Sequence, residues 1–206
     1  MCFSHTRKTF IFNEHNIELL VPDVIPVREA YRDGRIAFPY WSQVWPSAIA
    51  LAEFISNNSH LLKEKVVLEL GAGLGLPSMV AAHYAKSVVC SDYRPEAVEL
   101  INQSAQLNEL NNLQAVCLNW NHLPSGLETD ILLLSDINYE QAAFADLHKV
   151  LNHFLEERTT IILSTPQRLM AKDFVATFLK ESIQQQEFSI MQNEINTPIS
   201  ILVLKR

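Results

Sequence analysis

Two hydrophobic rhythms divide the chain. Near the start, Phe10 and Phe12 alternate with polar neighbours, and Ile17, Leu19 and Val21 follow at period two. With residues 13–16 as the turn, residues 9–21 read as a β-hairpin. Pro22 and Pro26 then break the pattern. Pro46 suits a first helical turn, and Ala48, Leu51, Ala52 and Ile55 recur on one helical face. From Lys65 onward, short continuous apolar runs alternate with amphipathic stretches. Strands are predicted over residues 66–70, 87–91, 113–118, 130–134, 160–163, 188–195 and 199–204. Helices are predicted over 77–84, 95–107, the stretch from Phe144 to Leu155, and 169–179.

Strands that are apolar throughout, separated by helices, are buried on both faces and pair in parallel. The expectation is an α/β, Rossmann-like fold with a seven-stranded, mostly parallel sheet. One antiparallel strand comes from a C-terminal hairpin turning at residues 196–198. An N-terminal hairpin and helix over residues 1–62 extend a core of 63–206, together one domain.

Composition narrows the partners. In 206 residues, 48% are hydrophobic and 19% charged, which suits a folded chain and excludes disorder as its main state. The net charge of −7 lacks the basic excess that grips phosphate backbones, so no nucleic-acid partner is expected. The N-terminal residues lack the apolar core of a secretory signal, and no apolar run is long enough for a membrane span. Three cysteines without CxxC spacing read as reduced thiols. Seven histidines offer no metal spacing; His148 and His153 miss the i,i+4 face. The expectation is a cytoplasmic, monomeric protein without a metal.

The strongest chemical signal is the strand that ends Glu69-Leu70 and runs into Gly71-Ala72-Gly73-Leu74-Gly75, with a helix after it. Glycines at alternate positions let a ligand press on backbone, and the helix N-terminus offers free N–H groups. A dinucleotide site wants a third glycine where Leu76 stands. Glu69 suits the α-ammonium of a methionine moiety and repels a pyrophosphate. S-adenosylmethionine therefore fits better than a nicotinamide cofactor. Asp92 ends the next strand, where a carboxylate can accept two ribose hydroxyls. Asn119 and Trp120 end the one after; an amide can read an adenine edge and an indole can pack on the base. Asp136 and Tyr139 follow the fourth strand and point to the same crevice.

On these residues the chain resembles the class I S-adenosylmethionine-dependent methyltransferases. More narrowly, it is similar to the methyltransferase-like protein-lysine methyltransferases called family sixteen. The likeness rests on residues 41–51 (WSQVWPSAIAL), the loop from Glu69 to Pro77, Asp92, Leu107-Asn108, Leu118-Asn119-Trp120 and the D-x-x-Y of Asp136 and Tyr139. It implies that the loop (Glu69, Gly71, Gly73, Gly75), Asp92, Asn119 and Trp120 hold the cofactor with Trp45 nearby. It places the acceptor amine beside Asp136 and Tyr139. Three positions depart from the pattern: Leu74 where many members have Thr, Ser78 where many have Gly, and Asn119 where many have Asp. The implied reaction is N-methylation of a protein lysine, leaving S-adenosylhomocysteine. A small-molecule N-methyltransferase of the nicotinamide type, or a cofactor-binding protein without turnover, stands as the alternative. A nucleic-acid amino-methyltransferase would show N/D-P-P-Y, and the middle residues here are Ile137 and Asn138.

Overall fold

The computed structural model describes residues 3–138, 141–168 and 171–206. It opens with β1 (His5–Phe12), β2 (His15–Pro22), α1 (Val24–Arg32) and α2 (Pro46–Asn57). Then come β3 (Val66–Leu70), α3 (Leu76–Ala82), β4 (Ser87–Asp92), α4 (Pro95–Leu107), β5 (Leu113–Cys117) and β6 (Ile131–Ser135). The chain ends in α5 (Phe144–Glu156), β7 (Thr160–Pro166), α6 (Lys172–Ala176), β8 (Ser182–Gln192) and β9 (Ile195–Leu204). Among the described residues, no helix is long and apolar enough to cross a membrane.

The large sheet has seven strands in the order β5-β4-β3-β6-β7-β9-β8. β9 runs antiparallel to both neighbours, and the remaining pairings are parallel. Period-two alternation splits each central strand between two cores. Val67, Ile131 and Leu133 face the layer of α2, α3 and α4. Leu68, Leu70, Leu132 and Leu134 face α5 and the two phenylalanines Phe174 and Phe178. Strand order reverses between β3 and β6, so their carboxyl ends open one crevice, the usual ligand position in such sheets.

Four local readings differ from the expectations. The first hairpin is longer and turns on Asn13 and Glu14 alone, with Asn13 at φ 49°. A helix forms over α1 despite Pro26, because first-turn N–H groups have no intrahelical partner to lose. The C-terminal hairpin turns at Asn193 and Glu194, both at positive φ, and not at 196–198. Pro198 lies inside β9 opposite Ser189, a position whose N–H would point away from β8, so the β8–β9 ladder loses nothing. The helix expected over 169–179 is the short α6; Leu169 lies outside the described residues.

The N-terminal hairpin covers helices and not the sheet edge. Ile17 and Leu19 are fully buried, which contributes about 1.5–3 kcal/mol each. The outer edge of β2 is satisfied by α4. The N–H of Leu20 donates to Ser104 Oγ at 3.0 Å, and Asn108 both accepts from the N–H of Glu18 (2.8 Å) and donates to its carbonyl (2.7 Å). The ring of Phe3 lies 6.0 Å from that of Trp41, which ties the strand's start to the crevice wall.

Candidate functional site

The crevice at the carboxyl ends of β3 and β6 is a cleft of about 840 Å³, open solvent included. Its walls bring together Trp45, Gly71, Gly73, Gly75, Asp92, Trp120 and Asp136. All were singled out in the sequence.

Three glycines turn the chain out of β3 with φ of 65°, 59° and 73°. At two of them a side chain has no room. A Cβ on Gly71 would sit 2.8 Å from the Trp120 ring, and one on Gly75 would sit 2.9 Å from Cys90 Sγ. The loop lines the cleft as a cradle, and its bare backbone makes room for the Trp120 ring and the Cys90 thiol. Asp92 crosses to it: Oδ2 accepts the Gly73 N–H at 2.9 Å, and Oδ1 accepts the Arg94 N–H at 2.9 Å. Burial pushes the Asp92 carboxyl up, and those N–H bonds pull it back. Trp45 is fixed by its indole N–H donating to the carbonyl of Tyr40 at 2.8 Å.

Two expected cofactor residues lie elsewhere. Glu69 is fully buried and off the cleft wall. Its Oε2 accepts from the Ser78 N–H (3.0 Å) and hydroxyl (2.5 Å), while Oε1 has no partner. Desolvation drives its pKa from 4.5 to about 8. Glu69 thus anchors the start of α3 from below, and the Ser78 N–H there is already taken by a side chain. Ser78, one of the departures from the pattern, supplies that anchor. Asn119 is exposed and off the wall; its side chain caps the next turn by accepting the Asn121 N–H at 3.0 Å.

Asp136 ends the other central strand in a left-handed backbone, φ 53°, with its N–H on the Ser164 carbonyl at 2.9 Å. Such a conformation at a non-glycine costs about 1–3 kcal/mol and persists where neighbours enforce it. Thr165 assists by donating to the buried Asn138 at 2.9 Å. Tyr139 lies outside the described residues. The pattern missed Arg168, whose guanidinium contacts both Asp136 oxygens from the end of β7. It also missed Trp41, whose backbone closes over Gly73 at 3.5 Å from a notional Cβ.

The chain is similar to known methyltransferases. A family model described as lysine methyltransferase matches residues 37–186. The human histone-arginine methyltransferase METTL23 is 32% identical over 64% of this chain and 72% of its own length. The zebrafish electron transfer flavoprotein beta subunit lysine methyltransferase is 30% identical over 76% of this chain and 65% of its own. The chain spans 51% of the mouse METTL23 it matches. Among solved structures, the Pyrococcus abyssi tRNA (uracil-54, C5)-methyltransferase in complex with S-adenosyl-L-homocysteine aligns with a TM-score of 0.61. It covers 96% of this chain and 44% of that one at 10% identity, a likeness of fold alone. With its family model covering most of the sequence, the chain belongs to the lysine methyltransferase family of class I S-adenosylmethionine-dependent enzymes.

Proposed function

We propose that the protein transfers a methyl group from S-adenosylmethionine to the side-chain nitrogen of a protein lysine, in a reducing compartment such as the cytoplasm, where its free thiols persist. The observation that carries this reading is one cleft lined by the glycine cradle, Asp92 and Asp136. The loop fits the cofactor because its glycine backbone lines the cleft. S-adenosylmethionine supplies an electrophilic methyl on a sulfonium, displaced in line by an amine lone pair. Asp92 has lone pairs left for ribose hydroxyls beyond the two N–H bonds it accepts. Trp45 and Trp120 offer ring faces.

The acceptor nitrogen must be neutral when it attacks the methyl, so a lysine that enters as the ammonium must first lose its proton to water. A lysine with pKa near 10.4 is uncharged in about one molecule per 2,500 at pH 7, a cost of about 4.6 kcal/mol. A wall of Trp41, Trp45, Trp120 and Ile137 disfavours the ammonium by desolvation. Asp136 would orient the nitrogen by accepting an N–H, with Tyr139 offering a ring face or hydroxyl. The relatives' names speak for a protein acceptor. An arginine acceptor is the second reading, favoured by the two-pronged guanidinium contact that Asp136 already makes.

The test is a lysate incubation with methyl-labelled S-adenosylmethionine, followed by hydrolysis of the labelled protein. The expected product is methyl-lysine in a discrete band. That label should vanish with Asp136→Ala while S-adenosylhomocysteine affinity is retained. Methyl-arginine would select the second reading, and label confined to small molecules or nucleic acid would overturn both.

A further inference from the structure

The acceptor end of the cleft already contains a cation. Arg168 Nη2 donates to Asp136 Oδ2 at 3.1 Å and Nη1 donates to Oδ1, so both carboxylate oxygens are engaged. The Asp136 side chain is 8% exposed and that of Arg168 33%. Among the described cleft-lining residues, Arg168 is the one with a positive charge.

The two partners are held very differently. Asp136 is fixed by its N–H bond to Ser164 and by the Asn138–Thr165 contact next to it. Arg168 reaches in from the segment after β7 on a long side chain that is partly in solvent. An immobile buried anion thus faces a cation that can swing outward without disturbing the sheet.

We propose that Arg168 is a tethered stand-in for the methyl acceptor: it sits on Asp136 between turnovers, and a substrate cation must displace it. This rests on the reading of Asp136 as the acceptor's partner. Burial pushes the Asp136 carboxyl up, and the Arg168 guanidinium opposes that shift. A lysine or arginine head exchanges for Arg168 charge for charge. A neutral acceptor cannot, because it would leave a buried carboxylate unpaired. Arg168 therefore selects for cationic acceptors and keeps the anion paired while none is bound. It also lowers the apparent affinity of every acceptor, since the open form is a fraction of the population.

The experiment compares wild type, Arg168→Ala and Arg168→Ala/Asp136→Asn, each saturated with S-adenosylhomocysteine. Thermal unfolding is followed with n-butylammonium or methylguanidinium chloride against sodium chloride at equal ionic strength. Arg168→Ala should rise in Tm with either organic cation, concentration-dependently. Wild type should not, because its own guanidinium is present at an effective concentration of about millimolar or above. The double variant should not respond either. No response in Arg168→Ala, or an equal response in all three, overturns the proposal. If Arg168→Ala folds poorly, Arg168→Gln keeps the bulk without the charge and decides the question in the same way. With the acceptor from the lysate experiment, KM should fall by about threefold or more in the variant. A rise in KM would mark Arg168 as a support and not a stand-in. Failure of the methyltransferase reading shows separately, as absent S-adenosylhomocysteine binding by wild type.

Discussion

At the glycine-loop end of the cleft, backbone holds the carboxylate: Asp92 accepts N–H bonds from Gly73 and Arg94. At the other end a side chain does so, and Asp136 is engaged by Arg168. Both acids are buried at strand ends, and burial raises both. A backbone clamp leaves with the fold, whereas an arginine clamp can leave by rotating. The cofactor end is therefore a rigid cradle, as a ligand bound at every turnover requires. The acceptor end can be emptied and refilled. Preorganised sites of the first kind resist substitution least, because nothing nearby can give.

The largest effect should come from beneath the cradle. Glu69 keeps its proton in the native state up to about pH 8 and loses it near 4.5 when unfolded. Between these values the native state binds more protons than the unfolded one, so stability falls as pH rises. At about 1.4 kcal/mol per pH unit, the span amounts to several kcal/mol. Urea midpoints of Glu69→Gln should be nearly flat where the wild type declines between pH 5 and 8. Equal slopes in the two proteins would mean that Glu69 is ionised in the fold. Next comes Gly75→Ala. Its Cβ would meet Cys90 at 2.9 Å and Ile101 at 3.3 Å in a left-handed backbone. Strain and overpacking together should cost about 2–4 kcal/mol by urea denaturation. A matching change at the flexible end that removes both charges, Arg168→Ala with Asp136→Asn, should cost far less, and a similar loss there would erase the contrast.

The cradle was legible because it is local. Residues 66–92 carry the strand, the glycines and Asp92 within one βαβ unit, and the bounds of α4 follow from Pro95 and the apolar stripe after it. The direction of Glu69 was readable too. Leu68 and Leu70 face α5, so period two turns Val67 and Glu69 toward the opposite layer and away from the mouth. Arg168 had no such signal. It lies 32 residues from Asp136 and on a different strand end, joined to it only by the β6–β7 pairing. The hairpin turn at Asn193 and Glu194 was hidden by Pro198, whose presence marks a turn in most contexts but here sits opposite Ser189 where no N–H is needed toward β8.

The smallest effect tests the comparison most directly, because it separates binding from folding. Asp92→Asn keeps one carbonyl oxygen for one of the two N–H bonds and removes the charge. If Asp92 receives the ribose, S-adenosylhomocysteine affinity should weaken by about 10- to 100-fold, or roughly 1.4–2.7 kcal/mol. Arg168→Ala should leave that affinity within about twofold, since its guanidinium faces the acceptor's carboxylate and not the loop. Calorimetric titration of the two variants reads both numbers at one pH. An equal loss in both would mean that the two ends bind as one unit, coupled across the β3–β6 junction. A loss in Asp92→Asn alone would leave the cradle as the part that holds the cofactor whether or not Arg168 is in place. Acceptor entry would then be free to vary without disturbing it.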